Sequence, residues 1–537
     1  QSRSSAASDV YKRQYVLLAC LWTVSAVQAQ SFGSPAMRKL QMAEFAISNF
    51  YVDKVDEDKL VEEAIIKMLA QLDPHSTYSD AEEVKKMNEP LQGNFEGIGV
   101  QFQMIEDTLL VVQPVSNGPS EKIGILAGDR IIAVNDSAIA GVKMSTEEIM
   151  KRLRGPKGSK VNLKIVRRGV QDPLVFTVKR DKIPILSLDA SYMIQPKTGY
   201  IRINRFGATT AEEFKKAMKE LQKQGMKDMI LDLQGNGGGY LNAAIDLANE
   251  FLGQKELIVY TEGRTAKRSD FYAKGNGEFR NGRLIVLVDE YTASASEIVS
   301  GAVQDWDRGI IVGRRSFGKG LVQRPIDLPD GSMIRLTIAR YYTPAGRCIQ
   351  KPYDSSTDYN KDLIERFNHG ELMNADSIHF PDSLKVQTKK LGRTVYGGGG
   401  IMPDYFVPID TTLYTDYHRN LVAKGAVIKF TMKFIEGHRK ELANKYKKFE
   451  SFNEKFIIDD DMLATLREMG EKEGVKFNEE QYQKSLPLIK TQLKALIARD
   501  LWDMNEYFRV MNTTNESVQK ALEILNSEEY QKKLRAN

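Results

Sequence analysis

Three short apolar runs, at 229–233, 284–288 and 310–312, each lead straight into a turn built from glycine and other small residues. Around them lie a further strand-like run at 199–203 and helix-like stretches at 210–224, 243–251 and 293–305. Strand and helix therefore alternate from 195 to 350, which implies a parallel or mixed sheet layered with helices. In such sheets ligands sit outside the carboxyl ends of the strands, so the three turns are where chemistry is expected.

The flanking segments have other periods. Residues 30–90 read as helical. Leu60, Ala64, Met68 and Leu72 recur every four residues on one helix face, and Asp73-Pro74 stops that helix, because proline disfavours helical geometry in the residue before it. From 91 to 182 the pattern changes to short β-runs at 99–104, 108–112, 129–134, 161–167 and 174–180, with helix-like pieces at 120–127 and 145–153. Ser145, with Glu148 three residues on, gives the second piece a capping box. The succession Gly97-Ile98-Gly99-Val100, Pro114, Pro119-Ser120, Gly124, Ala127-Gly128-Asp129, Val134-Asn135 and Gly155-Pro156-Lys157-Gly158 resembles a PDZ domain. On that resemblance Gly97, Ile98, Gly99 and Val100 form the loop that binds a C-terminal carboxylate. Successive N–H groups at a glycine-rich turn make a nest for an anion, and the adjoining strand edge accepts an extended peptide.

The α/β segment is expected over 183–413, with a polar, irregular insertion at 353–395 ahead of the glycines at 397–400. Residues 414–537 are helical again, and Ile489, Leu493, Leu496, Ile497 and Leu501 mark an apolar face. Such a tail packs on its own neighbour or on a second subunit, and the pattern leaves both open, as it does a homo-oligomer through the helical ends. The expected fold class is a multidomain α+β and α/β chain with a helical N-terminal segment, a PDZ domain, a mixed α/β core and a helical C-terminal extension.

Composition sets outer limits. With 27% charged and 42% hydrophobic residues, the 537-residue chain is ordinary for a globular protein, neither disordered nor multiply membrane-spanning. The net charge of +5 comes from interspersed signs and gives no reason to expect nucleic acid. Five His and two Cys, Cys20 and Cys348, offer little for imidazole or thiolate chemistry, so no metal and no cofactor is expected. Residues 1–14 have no periodicity and read as translated adapter sequence. Lys12-Arg13, the apolar run 15–27 and Val27-Gln28-Ala29 then have the layout of a secretory signal peptide cleaved after Ala29. Leu17-Leu18-Ala19-Cys20 resembles a lipoprotein cleavage box. An exported, periplasmic protein is expected, with a membrane or lipid tether left open.

The three turns carry the chemistry. They are Asp232-Leu233-Gln234-Gly235-Asn236-Gly237-Gly238-Gly239, Tyr291-Thr292-Ala293-Ser294-Ala295-Ser296-Glu297, and Gly313 to Gln323 with the core Phe317-Gly318-Lys319-Gly320. The third nearly matches a phosphate-binding loop, but Gly320 replaces the hydroxyl that would reach a magnesium ion, and Leu321-Val322 reads as strand rather than helix. A P-loop-like NTPase is therefore the remote alternative, and a non-catalytic PDZ scaffold the nearer one. Together the turns suit serine hydrolysis. Ser294 opens a helix, where the Ala295 N–H has no internal partner, and Gly238 and Gly239 allow close approach and a second N–H donor. No His lies nearby. Lys319 is the substitute base, which must be neutral and which burial would keep so. No anion flanks it in sequence, and Gln323 can orient its amine. Taken singly, Ser294 and Ser296 also suit plain helix caps, and Lys319 a solvated turn.

The run Thr292-Ala293-Ser294-Ala295-Ser296-Glu297-Ile298, then Gly301-Ala302-Val303-Gln304-Asp305, then Phe317-Gly318-Lys319-Gly320-Leu321-Val322-Gln323, resembles the C-terminal processing peptidases, the tail-specific proteases of peptidase family S41. The 25 residues between Ser294 and Lys319 and the preceding PDZ-like segment are similar to that family too. The resemblance implies a serine endopeptidase acting on proteins with apolar C-termini, with Ser294 as nucleophile and Ser296 as its rival. It implies Lys319 as general base, Gln323 as its orienter, and the N–H groups of Ala295 and of Gly238 or Gly239 as the oxyanion hole. It implies also that the PDZ domain gates the site. One departure stands out: Gln234 and Gly237 occupy positions where Arg and Pro are more common.

Overall fold

A computed structural model describes residues 34–105, 107–353, 359 and 361–534. The expected leader at 1–29, with Cys20, lies outside them. The chain separates into two units, Gln1–Tyr78 and Ser79–Asn537. The first contains the helices Pro35–Phe50 and Glu57–Leu69, each opened by a side-chain cap, Ser34 and Asp56. The fourfold spacing from Leu60 does form helix, but it ends at Leu69, ahead of Asp73-Pro74, and Met68 and Leu72 are exposed rather than on a packed face.

The second unit begins with helix Ala81–Gln92. Asp80 caps it reciprocally with Glu83, each carboxylate accepting the other's N–H (2.8 and 3.3 Å). The PDZ segment follows. The strands Val100–Ile105, Thr108–Pro114, Arg130–Val134, Lys160–Val166 and Leu174–Lys179 are antiparallel neighbours in that order. Alternation in Lys160–Val166 sends Val161, Leu163 and Ile165 inward while Lys160, Asn162 and Lys164 face water. Helix Thr146–Leu153 is capped by Ser145, whose Oγ accepts the Glu148 N–H (3.2 Å). The expected helix at 120–127 shrinks to Pro119–Lys122. Gly124, at φ +88°, turns the chain out of helical geometry.

The α/β core is a six-stranded mixed sheet. Leu188–Gln195 runs antiparallel to Thr198–Ile203; Thr198–Ile203, Asp228–Asp232, Leu284–Val288, Ile310–Gly313 and Tyr405–Phe406 are parallel. Helices Thr210–Lys223, Leu241–Asn249 and Ala295–Asp305 cover one face around Phe206, Phe214, Leu247 and Phe251. The other face, around Tyr200, Ile230, Ile285 and Val312, is covered by Val518, Ala521, Ile524 and Leu525 of helix Glu516–Asn526 and by Tyr530. The C-terminal extension thus packs on its own sheet. Its earlier helices, Ala426–Lys445, Asp460–Lys472 and Glu479–Leu501, enclose a separate core that includes Ile489, Leu493 and Ile497.

The insertion at 353–395 is less irregular than its composition implies. It holds helix Asp362–Asn368 and a hairpin of Lys385–Gln387 with Thr394–Tyr396. Tyr396 O accepts from Arg347 Nη1 (2.9 Å), and Arg347 also pairs with Asp305 at the end of Ala295–Asp305, both side chains inaccessible to water. A carboxylate at a helix C-terminus is opposed by the helix dipole, and Arg347 offsets it. Removing one partner of such a pair strands the other charge. Arg347→Ala is expected to cost about 3–5 kcal/mol of unfolding free energy, measured by denaturant titration.

Candidate active site

The three turns leave the carboxyl ends of adjacent parallel strands, Asp228–Asp232, Leu284–Val288 and Ile310–Gly313. Asp232 anchors the first. Its carboxylate accepts from Tyr200 Oη and Arg202 Nη1 (both 2.5 Å) and from the Gln234 N–H (2.8 Å). Buried Asn236 then ties this turn to the second. Its Nδ2 donates to Ile203 O (2.9 Å), its Oδ1 accepts the Gly238 N–H (2.9 Å), and its carbonyl accepts from Ala293 N–H (2.9 Å) and Ser296 Oγ (3.0 Å).

These bonds sort the sequence candidates. Ser296 is fully buried with its hydroxyl committed to Asn236, whereas Ser294 is half-buried and faces a cleft. Ser294 has φ +55° and ψ −113°, a conformation rare for a residue with a side chain. Gly238 lies against it. A β-carbon there would stand 2.8 Å from Ser294 Cβ and 3.0 Å from Ala295 N, so only glycine leaves that amide open. The Gly238 N–H is spent on Asn236, which, of the two expected alternatives, Gly238 or Gly239, favours Gly239 as a donor to the cleft. Gly239 bridges Phe206 in parallel fashion, with Phe206 bonded to Gly238 O and Tyr240 N–H to Phe206 O (2.9 and 2.8 Å). That pattern turns the Gly239 N–H away from Phe206.

The third turn is fastened to the second by Glu297, in the first turn of helix Ala295–Asp305. Its wholly buried carboxylate accepts from Ser294 N–H (2.7 Å), Ser316 Oγ (2.5 Å), Gly318 N–H (2.8 Å) and Lys319 N–H (2.9 Å). Burial pushes this carboxyl up to about 7, against the pull of those four donors. The absence of an anion next to Lys319 in sequence is thus overturned in space, although Glu297 meets the lysine's backbone amide. Lys319 is half-buried, not enclosed, and its Nζ donates to Gln323 Oε1 (3.1 Å). Tyr341 lies between the carbonyls of Ser294 (3.0 Å) and Lys319. Arg366 of the insertion donates to Ser316 O and Phe317 O (2.9 and 3.1 Å). After Lys319 the chain continues as strand Leu321–Asp327, so no helix N-terminus is available to hold a phosphate there and the NTPase reading falls.

A cleft of about 410 Å³ gathers Gly238, Gly239, Ser294, Ala295, Lys319 and Gln323, with Leu241, Ile298, Leu321 and Met333 as its apolar wall. At the PDZ site, Gly97 is the last residue of strand Asn94–Gly97, paired opposite Asp181, and so is ladder rather than loop, a correction to the expected four-residue loop. Ile98 buries its side chain in the PDZ core, and its carbonyl accepts from Ser120 N–H and Oγ (3.1 and 2.7 Å). Gly99 turns at φ +73°, and Val100 opens a strand at the edge of its sheet.

Residues 197–357 match peptidase family S41, residues 97–182 the PDZ domain, residues 20–83 the activating protease CtpB N-terminal domain, and residues 417–503 a family of unknown function, DUF8443. The carboxy-terminal processing protease CtpB of Bacillus subtilis (strain 168) is 37% identical over 327 residues, covering 60% of this chain and 68% of the relative. The carboxy-terminal-processing protease of Bartonella bacilliformis is 40% identical over 307 residues, covering 56% and 69%. The chain belongs to the carboxy-terminal processing proteases. A solved photosystem II D1 C-terminal processing protease is 27% identical, covering 72% of this chain and 96% of that one, with a TM-score of 0.35. The protease is a serine-type peptidase carrying a PDZ domain.

Three residues that shape this cleft do not declare themselves in the sequence. Asn236 and Glu297 stand inside the first and second turns, where an asparagine reads as turn-former and a glutamate as helix cap. Tyr341 carries no local signal. Glu297 also makes stability pH-dependent. Its folded carboxyl is raised above the ordinary value near 4.5, so between pH about 4.5 and 7 the folded state holds a proton that the unfolded chain has lost. This contribution is complete below that window and is lost as pH rises through it, by roughly 3 kcal/mol. Denaturant titrations at several pH values are expected to record that fall in wild type and a flatter profile in Glu297→Gln.

Proposed function

We propose that the protease cleaves its substrates with Ser294 as nucleophile and Lys319 as general base. The observation that carries this reading is that Ser294, Ala295, Gly239, Lys319 and Gln323 line one cleft, with Lys319 Nζ bonded to Gln323 Oε1. The neutral Lys319 amine takes the Ser294 hydroxyl proton as Oγ bonds to the scissile carbonyl carbon. The resulting oxyanion is received by the N–H groups of Ala295 and Gly239. The lysine ammonium then gives its proton to the leaving amine nitrogen, and an acyl-enzyme remains. A water, deprotonated by the same amine, attacks the ester carbonyl; the acyl-carbon–Oγ bond breaks, the new carboxylic acid leaves, and the lysine ammonium returns its proton to Ser294 Oγ. Gln323 Oε1 holds Nζ in place without adding charge.

Substrate capture is assigned to the PDZ domain. Ile98, Gly99 and the edge of strand Val100–Ile105 supply main-chain groups for an extended peptide and its C-terminal carboxylate. The apolar residues lining the cleft suit an aliphatic side chain. The basic pair, apolar run and small-residue site at 12–29 support export to the periplasm.

Two assays test this reading on a protein substrate with an apolar C-terminus. Ser294→Ala is expected to lower kcat by at least about 10³-fold and Lys319→Ala by about 10²–10⁴-fold, with a smaller loss in Gln323→Ala; wild-type turnover in either of the first two overturns the dyad. Replacing the substrate's last three residues by aspartate is expected to lower kcat/KM, and equal cleavage of both substrates removes the PDZ domain from recognition.

A further inference from the structure

The turn that brings Gly238 and Gly239 to Ser294 is gripped from behind by the C-terminal helices. Gln234 points its side chain there. Its Oε1 accepts from Asn515 Nδ2 (3.2 Å) and its Nε2 donates to Ser517 Oγ (3.4 Å). Asn515 is itself fixed as the N-cap of helix Glu516–Asn526, its Oδ1 accepting the Val518 N–H (3.2 Å). The main chain of Gln234 is held from the same side. Its carbonyl accepts from Arg202 Nη2 (2.8 Å), and that guanidinium stacks on Phe508 of helix Met504–Met511, 4.9 Å from the ring centre. Between these groups lies a cavity of about 400 Å³, bordered by Arg202, Gln234, Arg314, Tyr414, Phe508 and Asn515. Solid packing does not press this side of the turn into shape, so directed hydrogen bonds carry that duty.

We propose that Gln234 and Asn515 are positioning residues for the peptidase reaction: the C-terminal extension fixes the oxyanion turn through their side-chain bond. Residues 504–534 lie beyond the 417–503 match. The inference rests on reading the Gly239 and Ala295 amides as the oxyanion donors. Such donors act on charge that develops only in the transition state, so loosening the turn affects turnover and not substrate binding.

The test measures kcat, KM and Tm of the full chain for Gln234→Leu, for Asn515→Ser, which keeps a helix cap but withdraws the amide, and for the double variant. Tyr530→Phe serves as control, because it loosens the same extension at its far end, where Tyr530 Oη accepts the Leu284 N–H (2.9 Å). Each single variant is expected to lose about 10- to 100-fold in kcat at unchanged KM. The double variant is expected to lose no more than the worse single one, and Tyr530→Phe to lower Tm while keeping kcat. Wild-type kcat in both single variants overturns the proposal. So do losses that multiply in the double variant, or an equal kcat loss in Tyr530→Phe. Ser294→Ala run alongside separates the two readings: activity there removes the nucleophile, whereas an inactive Ser294→Ala with unaltered Gln234 and Asn515 variants overturns the positioning role alone.

Discussion

One buried carboxylate organises the catalytic end of this protein. Glu297 receives the amide of the residue that bends into the cleft, the hydroxyl of Ser316, and the amides of Gly318 and Lys319. Two turns from different strands thereby become one rigid piece. A charge buried without partners would be very costly, and four donors are what make it tolerable. The same carboxylate holds Ser294 in its unfavourable backbone conformation. Strain of that kind persists only where the surroundings over-determine it, and here they do so through Glu297, through Asn236 on the neighbouring turn and through Tyr341 beneath both.

The second constraint is the sheet. Its parallel strands are apolar on both faces, so both must be covered. The helices between the strands cover one face. The other depends on Val518, Ala521, Ile524, Leu525 and Tyr530. The C-terminal extension is therefore structural to the peptidase core, and its contact with Gln234 follows from where that duty puts it.

Much of this is legible in the sequence. Uninterrupted apolar runs ending in glycine give the strands and their turns, and hydroxyl and amine chemistry at successive turns gives Ser294, Lys319 and Gln323 as neighbours. What resists reading is whatever depends on contacts between distant segments. Glu297 is a helix-cap glutamate by any local rule until Gly318 and Lys319 fold onto it. Gly238 and Gly239 look equivalent until Asn236 claims one amide. Gly97 looks like loop because a four-residue strand carries too little period to declare itself. The apolar stripe at 489–501 announces burial without naming a partner, and the insertion's polar composition hides a helix whose Arg366 props the lysine turn.

The closing contact over the central sheet has a kinetic meaning as well. Tyr530 reaches Leu284 across 246 residues of chain. Contacts of such separation are slow to form, since a long loop must be closed before any burial repays it. Before residues 516–530 pack there, the face around Ile230, Ile285 and Val312 has no cover. Until residues 516–530 have been made and have swung back over it, the oxyanion turn lacks its rear support. The geometry of the cleft is thus completed only when a segment distant in sequence closes over the second face of the sheet.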